Sequence, residues 1–400
     1  MSTRRYRANW ILPVSDPPVR GGFIRVDDDR IVEIGDTAHA DAADLGQVAI
    51  LPALVNAHTH LELSYLQARV APVARFGDWV RTVMTTRQEY PDPADPRIVE
   101  PARASIERAR ASGTGLFGEV SNTLVTVPLL RQAGLPAQVF YELTGFTEQE
   151  PRRRVGEARR RADAAAGDSV RVSLAPHAPY SVSAALFQAI REDIDAHSGT
   201  VSSVHLGENP EEVELLRHGT GDLRRVLEEL GRWPAEWEAP GLSPVEYLSE
   251  LGVLDSRVLV VHGVQFDGED LARLSSLGVT LVSCPRSNRH VGVGSPPLEA
   301  FYAMDVEVAL GTDSLASVAT LNMFDELAEA RRIAPRVPAR RLLESATLTG
   351  ARALGFEADY GSIERGKRAA LIAVQLPAGV EDVEEFLVGG VAADAVSWVV

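Results

Sequence analysis

The chain has 400 residues, of which 45% are hydrophobic and 24% are charged, and its formal net charge is −16. These values are typical of a folded globular protein and argue against extended disorder. The acidic balance argues against nucleic acid or an anionic membrane surface as a partner. A small molecule is the expected partner.

The first residues, "MSTRRYRANWILPVSD", lack the long apolar core and small-residue cleavage site of a signal peptide. No stretch of the chain reaches the roughly 18 to 20 consecutive apolar residues that a membrane helix needs. We therefore expect a cytoplasmic protein.

Taken in chain order, the pattern is β, then alternating β and α, then β again. Residues 1–50 contain the hairpin-like "GGFIRVDDDRIVEIGD", and residues 357–400 contain the similar "YGSIERGKRAALIAVQL". Between them, a short apolar strand, a polar or Gly-containing junction and a helical pattern recur eight times. The eight predicted strands are "ILPALVNA", "GTGLFGEV", "AQVFYELT", "SVRVSLAP", "GTVSSVHL", "RVLVVHGV", "VTLVSCPR" and "VEVALGTD".

This rhythm predicts an α/β fold of the (β/α)8 TIM barrel type over residues 51–356. Both β-rich ends, residues 1–50 and 357–400, are expected to form one small composite β-sandwich beside the barrel. A doubly wound open sheet is the alternative that the same pattern allows.

The segments between the strands predict helices. In "SAALFQAIREDIDAHSG", Ser183 is a candidate N-cap, and "RIVEPARASIERARASG" ends at a candidate cap, Gly113. The basic stretch "PRRRVGEARRRADAAAG" is interpreted as the solvated face of a helix.

Two connections, residues 64–100 and 207–255, are long for βα units, and we expect them to cover the active-site face. The first contains "FGDWVRTVMTTRQEY", a predicted lid helix in which Trp79 and Met84 are candidate substrate contacts. Plain packing of both side chains on the barrel is the alternative.

Two histidines follow the first predicted strand. Residues i and i+2 of a strand point the same way, so His58 and His60 are able to aim two nitrogens at one point. The pair alone is a weak signal, because such a spacing arises readily by chance.

The remaining candidates strengthen that signal by their positions. They fall at the ends of the fourth, fifth, sixth and eighth predicted strands, where barrel active sites are built: His177, His205, His262 and Asp313. Satisfied packing explains one such histidine, but it does not explain the whole set.

Three imidazoles and one carboxylate with room for water are the ligand set of a catalytic divalent site. Water on such an ion has its pKa lowered toward about 7, which indicates a hydrolase.

Cys284 is the only cysteine, which excludes a cysteine-rich zinc site. Lys367 is the only lysine and lies in the C-terminal β segment, which argues against a two-metal centre bridged by a carboxylated lysine. We expect one ion, zinc first, with iron and manganese accepting the same ligands.

Glu208 lies three residues after His205, just past the strand end, where its carboxyl is able to reach a bound substrate and relay protons. The alternative is an ordinary first-turn glutamate at the start of a helix.

The chain resembles the amidohydrolase superfamily, and within it the mononuclear deaminase branch. The resemblance runs through "IVEIGD" and "GSIERGKRAALIAV" at the flanks and through "LPALVNAHTHLEL", "HAPYS", "HLGE", "VHGV", "CPRSN" and "GTDSLAS" in order along the barrel. It implies metal ligation by His58, His60, His205 and Asp313. It further implies Glu208 as the proton shuttle, His262 with Asp313 at the attacking water, and His177 at the substrate.

The finer resemblance is to the aminodeoxyfutalosine deaminases of menaquinone biosynthesis. It rests on "HTHLELS", "HLGENPEE", "SPVEYLSELGVL" and the segment from "CPRSN" to "GTDSLASVATLNMFDE", and Glu62 and Ser64 are part of it. Deaminases of adenosine and S-adenosylhomocysteine are close, and the chlorohydrolase-like members are similar. Gly207 stands where many relatives have alanine.

Further substrate contacts are predicted with structural alternatives beside them. Arg286 follows the seventh strand and is a candidate for an anionic substrate group, or else forms a structural ion pair. Glu119 and Glu142, at the ends of the second and third strands, are candidates for ribose hydroxyls, and Asn288 is a similar case.

Two rival functions remain open at this level. One keeps the fold and changes the substrate, as in guanine deaminases, s-triazine hydrolases or ring-opening imidazolone hydrolases. The other is a non-catalytic scaffold of the same fold, against which the complete set of expected ligands argues. A homodimer is a further expectation.

Overall fold

A computed structural model of the chain describes residues 3–36, 41–73, 75–234 and 236–399. The strands are β1 (Thr3–Arg7), β2 (Trp10–Ile11), β3 (Val19–Arg20), β4 (Phe23–Asp27), β5 (Arg30–Gly35), β6 (Ala43–Asp44), β7 (Val48–Pro52), β8 (Leu54–Thr59), β9 (Thr114–Ser121), β10 (Ala137–Leu143), β11 (Val170–Pro176), β12 (Ser202–Leu206), β13 (Val258–His262), β14 (Thr280–Ser283), β15 (Glu307–Leu310), β16 (Leu371–Gln375) and β17 (Val396–Trp398).

The helices are α1 (Phe76–Gln88), α2 (Pro96–Ala111), α3 (Val127–Gln132), α4 (Pro151–Ala165), α5 (Ala184–Ala196), α6 (Pro210–His218), α7 (Asp222–Glu229), α8 (Pro244–Glu250), α9 (Gly268–Ser276), α10 (Pro285–His290), α11 (Leu298–Ala303), α12 (Met323–Ile333), α13 (Ala339–Ser345), α14 (Leu348–Ala353) and α15 (Val383–Val388). Two 3₁₀ helices span Leu61–Leu66 and Ala393–Ala395. Over the described ranges, no helix has the length and apolar character needed to cross a membrane.

Both ends of the chain contribute to the sheets beside the barrel. One sheet has the order β5-β4-β1-β6, and the predicted hairpin is its antiparallel pair β4 and β5. The other sheet has the order β17-β16-β7-β2-β3, so the C-terminal strands pair with the N-terminal ones. Apolar side chains of both sheets pack into one core, which includes Ile24, Ile31, Ile50 and Leu371. The predicted sandwich of both termini is therefore present, while its exact division from the barrel stays a prediction.

The eight strands from β8 to β15 form the barrel. They pair in parallel in two runs of four, β11-β10-β9-β8 and β12-β13-β14-β15. One seam is joined where the His205 N–H donates to the His177 carbonyl at 2.9 Å. The other is joined where the N–H groups of Thr312 and Asp313 donate to the His58 carbonyl, each at 3.0 Å. The barrel prediction is confirmed, and the open-sheet alternative is wrong.

The first predicted strand, "ILPALVNA", is two strands in the structure. The backbone changes partner at Ala53, whose N–H donates to Ala370, whereas the next N–H, of Leu54, donates to Gly113 at the barrel. A continuous apolar run therefore serves two sheets, and the sequence pattern does not reveal the change of partner. Among the helices, α1, α2 and α5 lie where they were predicted, and the Ser183 side chain caps α5 by accepting from the Leu186 N–H.

The seam between β15 and β8 leaves no room for a side chain at Gly311. A Cβ built there lies 2.8 Å from the N, O and Cβ atoms of His58. We predict that Gly311→Ala lowers the free energy of unfolding by about 1–3 kcal/mol, because backbone atoms of the seam must separate. Chemical denaturation measures the loss.

Gly268→Ala is the matched control. Its Cβ meets no atom within 4 Å, and Gly268 lies in the first turn of α9. Alanine there is expected to be neutral or slightly stabilising. Equal losses in the two variants would contradict the account of the seam.

Candidate active site

A cavity with an empty volume of about 690 Å³ opens at the C-terminal ends of the barrel strands. Its polar side contains side chains from the strand ends, namely His60, Asn122, Glu142, His177, His205, Glu208, His262 and Asp313. Its apolar side comes mainly from α1, with Phe76, Trp79, Val80, Val83 and Met84. The predicted lid helix therefore faces the polar strand ends across the cavity.

His58 and His60 converge as their i, i+2 spacing predicts. Their Nε2 atoms lie 3.2 Å apart, and His60 Nε2 lies 3.6 Å from Asp313 Oδ1. Two nitrogens bound to one tetrahedral ion at about 2.0–2.1 Å lie about 3.3–3.4 Å apart. The separation of these atoms therefore matches that of two ligand atoms bound to the same ion.

His205 joins the same cluster from β12. Its ring centroid lies 4.9 Å from that of His58, and its Nδ1 lies 3.2 Å from the His177 carbonyl and 3.5 Å from Glu142 Oε1. Partners at Nδ1 fix the ring and leave Nε2 for the cluster, as is usual for metal-ligating histidines.

Asp313 reaches the cluster through an unusual backbone conformation. Its φ is +61°, and its carbonyl accepts from the Thr59 hydroxyl at 2.9 Å. Oδ2 accepts from the Ser287 hydroxyl at 2.6 Å and from Ser317 at 3.3 Å. Because two hydroxyls hold Oδ2, Oδ1 is the oxygen that faces His60.

The electrostatics of the cluster suit a cation. Burial, followed by the neighbouring imidazoles, lowers the pKa of His58 well below its usual value. Burial likewise lowers the pKa of His60 to about 3 and of His177 to about 4. Imidazoles that are neutral at pH 7, together with one carboxylate, are the donors that zinc, iron or manganese accept. The residues present therefore fit a divalent ion.

Glu208 and His262 lie beside this cluster. Glu208 Oε1 is 3.6 Å from His262 Nε2, and the His262 Nδ1 is 3.0 Å from the side-chain amide of Asn288. Burial, followed by the Asp313 charge, raises the pKa of the Glu208 carboxyl well above its usual value. A raised pKa favours the protonated form of the carboxyl, which is the form that donates a proton.

The backbone before α6 aims Glu208 into the cavity. Gly207 has φ of +60°, and Glu212 accepts from the N–H groups of Gly207 at 3.1 Å and of Glu208 at 3.3 Å. Asn209, not Glu208, caps α6 through its side chain. Glu208 therefore lies before the helix and is not a first-turn glutamate.

The predicted substrate contacts fall into two groups. His177, Glu142, Trp79 and Met84 line the cavity, and His177 Nδ1 lies 2.6 Å from the Ser181 hydroxyl. Arg286, Asn288 and Glu119 do not line it. Asn288 contacts His262, and buried Glu119 accepts from the Leu61 N–H at 2.9 Å.

Arg286 has the structural role that was its alternative. Its guanidinium lies 3.4 Å from the fully buried Glu326 carboxylate and donates to the Thr320 carbonyl at 3.2 Å. The ion-pair alternative therefore describes Arg286, which does not line the active-site cavity. Glu62 and Ser64 are also buried, and Glu62 accepts from the Ser121 and Thr123 hydroxyls.

Several site residues were absent from the sequence predictions, namely Arg87, Asn122, Tyr180, Ser287 and Ser317. Arg87 had a usable signal, because Trp79, Val83 and Arg87 are spaced by four residues along one face of the predicted lid helix. Ser287 lies within "CPRSN", one of the motifs that carry the resemblance, but the motif alone does not indicate that its serine contacts Asp313.

Comparison with known proteins agrees with this geometry. Residues 49–395 match the amidohydrolase family. The aminodeoxyfutalosine deaminase of Deinococcus radiodurans is 33% identical over 334 residues, covering 79% of this chain and 76% of the relative.

Two solved structures share the whole architecture. Helicobacter pylori aminofutalosine deaminase in complex with methylthio-coformycin has a TM-score of 0.86 at 25% identity, covering 97% of this chain and 96% of that one. An adenosine deaminase from Xanthomonas campestris with bound zinc has a TM-score of 0.81 at 26% identity, covering 98% and 90%. The chain belongs to the amidohydrolase family and is a hydrolase acting on carbon–nitrogen bonds.

Proposed function

We propose that the protein is a hydrolytic deaminase of an aminopurine nucleoside, with 6-aminodeoxyfutalosine as its substrate. The observation that carries the proposal is the convergence of neutral imidazoles, the Asp313 carboxylate and the buried Glu208 carboxyl in one cavity. The Deinococcus radiodurans relative and the inhibitor-bound Helicobacter pylori structure support the choice of substrate.

In this proposal His58, His60, His205 and Asp313 hold one divalent ion, and zinc is our choice because the Xanthomonas campestris structure contains it. When bound, such an ion supplies water whose pKa is lowered toward about 7. A cytoplasmic location and a homodimer remain predictions from the sequence.

The residues of the chain manage the protons of the reaction. Asp313 Oδ1 accepts a proton from the attacking water, and His262 Nε2 orients that water from beside Glu208. Glu208 donates its proton to the ring nitrogen next to the amino-bearing carbon. The carbon gains the hydroxyl of water, Asp313 passes the proton that it accepted to the amino group, and ammonia leaves as the carbon–nitrogen bond breaks. The hydroxyl proton returns to Glu208, so the carbon becomes a carbonyl and the neighbouring ring nitrogen keeps its proton.

The rest of the cavity binds the nucleoside. Phe76, Trp79 and Met84 on α1 offer an apolar surface that packs on the base and excludes water. Glu142 and Asn122 lie on the polar side, with Asn122 Nδ2 donating to Glu142 Oε2 at 2.9 Å. We assign Glu142 and His177 to hydrogen bonds with substrate hydroxyls.

Substrate identity is tested by release of ammonia from a panel of nucleosides. The panel contains 6-aminodeoxyfutalosine, adenosine, 5′-methylthioadenosine and S-adenosylhomocysteine, with guanine and an s-triazine as outside compounds. We expect the highest kcat/KM for 6-aminodeoxyfutalosine. Inertness toward every aminopurine nucleoside would refute the proposed function.

Glu208→Gln tests the proton shuttle. The variant keeps its size and its hydrogen-bonding shape but loses the transferable proton, so kcat is expected to fall at least about a hundredfold. Metal content, measured on the same sample, is expected to stay at the wild-type level because Glu208 is not a proposed ligand.

Glu269→Gln is the control. Glu269 is an exposed glutamate in the first turn of α9, so its variant is expected to keep the wild-type rate. A Glu208→Gln enzyme with a near-normal rate would remove Glu208 from the mechanism.

A further inference from the structure

A buried carboxylate, that of Glu62, binds the chain segment that follows β9. Glu62 lies in the 3₁₀ helix that begins directly after His60. Its Oε2 accepts from the Ser121 hydroxyl at 2.7 Å, and from the hydroxyl and the N–H of Thr123 at 2.9 and 3.3 Å. Its Oε1 accepts from the Asn122 N–H at 3.0 Å. One side chain therefore holds three consecutive residues at the mouth of the barrel.

The backbone of this segment depends on that carboxylate. The strand β9 ends at Ser121, where it pairs with Tyr141 of β10. Beyond this point the N–H groups of Asn122 and Thr123 donate to the Glu62 side chain. Backbone N–H groups away from water need an acceptor, so the acceptor that is present determines the course of the chain. Glu62 therefore fixes where the side chain of Asn122 begins.

Asn122 carries this constraint into the active-site cavity, which it lines. Its Nδ2 donates to Glu142 Oε2 at 2.9 Å and to the Glu142 carbonyl at 3.3 Å, while its Oδ1 accepts from Arg87 at 3.0 Å. The amide thus has its nitrogen toward acceptors and its oxygen toward a donor. Because Oε2 of Glu142 is held in this way, the position of the Glu142 carboxyl depends on Asn122.

We propose that Glu62 is a positioning residue for substrate binding, which acts through Asn122 to place Glu142 for contact with the ribose hydroxyls. Glu62 does not line the cavity, so it acts on the substrate only through these neighbours. A carboxylate suits this role because both of its oxygens accept, and the segment presents four donors to it. The inference rests on the proposed function for the contact between Glu142 and the ribose.

Glu62→Gln tests the placement with little change in size. The new amide replaces one acceptor by a donor in either of its orientations. Its NH2 group then faces the Asn122 N–H at the Oε1 position or the Thr123 N–H at the Oε2 position. Two donors do not bond to each other, so residues 121–123 are expected to move and Asn122 to release Glu142.

The first test measures kcat/KM for 6-aminodeoxyfutalosine and for its 2′,3′-dideoxy analogue, which lacks both ribose hydroxyls. The wild-type enzyme is expected to prefer the hydroxylated substrate by about tenfold or more, because the analogue leaves Glu142 without its donors. Glu62→Gln should lose most of this preference. Its KM for the hydroxylated substrate should rise about tenfold, and its kcat/KM for the analogue should change less than about threefold.

Asp193→Asn is the matched control. Asp193 is also a buried carboxylate, but it accepts from Arg159 Nε at 3.0 Å on α4, outside the cavity. Both variants are expected to unfold more readily than the wild type, and only Glu62→Gln should change the preference between the two substrates. Equal losses for both substrates in Glu62→Gln, which is the mark of a general structural effect, would overturn the inference.

Two further variants test the same path at other members. Thr123→Val keeps the shape of the side chain and removes one of the four hydrogen bonds to Glu62, so it should lose a smaller part of the preference. Asn122→Ala should lose as much as Glu62→Gln, and the double variant should lose no more than either single one. Additive losses, or full preference in Thr123→Val and Glu62→Gln alike, would contradict action through Asn122.

The second test does not depend on turnover, so it separates failure of this inference from failure of the proposed function. Crystal structures of the wild type, Glu62→Gln and Asp193→Asn are determined without substrate. The hydrogen bond between Asn122 and Glu142 should be present in the wild type and in Asp193→Asn and broken in Glu62→Gln.

An unchanged bond between Asn122 and Glu142 in Glu62→Gln would overturn the inference whatever the enzyme acts on. A broken bond in an enzyme that is inert toward every aminopurine nucleoside would support the placement of Glu142 by Glu62 and refute the proposed function alone.

Discussion

The hydrogen bonds that close the barrel between β15 and β8 are the contact on which the site depends. The His58 carbonyl accepts from Thr312 and Asp313, and the Thr59 hydroxyl donates to the Asp313 carbonyl across 254 residues of chain. These bonds bring the first strand and the last strand of the barrel into register, so that His60 and Asp313 face each other. A side chain at Gly311 has no room because the two backbones touch there.

Other contacts hold the side chains of the site in position. Ser287 and Ser317 hold one oxygen of Asp313, Asn288 contacts His262, and Glu212 binds the turn that carries Glu208. The same turn explains Gly207, whose φ is positive. A Cβ at this position would lie 2.3 Å from the Phe266 ring. Glycine at this position is therefore a packing requirement of this chain.

The barrel and the metal-site candidates were predictable because they depend on local, periodic signals. Eight apolar runs identified the strands, and parallel strands end at one face, so His205, His262 and Asp313 were expected together. The change of partner at Ala53 was not predictable, because it is decided by hydrogen bonds to Ala370 and Gly113 from distant parts of the chain.

The charged residues show the limit of the sequence pattern most clearly. Arg286 follows a strand end, and its position in the sequence predicted contact with an anionic substrate group. In the structure, buried Glu326 on the facing helix α12 pairs with Arg286. Most arginines of the basic helix α4 are exposed, as its sequence predicts, whereas Arg159 of the same helix pairs with the buried Asp193. Which arginine is paired depends on the tertiary neighbours of its helix, and helical periodicity alone does not contain them.

We propose that one divalent ion, held by His58, His60, His205 and Asp313, enables release of ammonia from an aminopurine nucleoside. The most direct measurement removes metal with a chelator and returns zinc in steps while ammonia release from 6-aminodeoxyfutalosine is followed. The account predicts an inactive starting protein whose rate rises linearly and levels off at one ion per chain. Full activity without metal, or a rate that levels off only at two ions per chain, would contradict it.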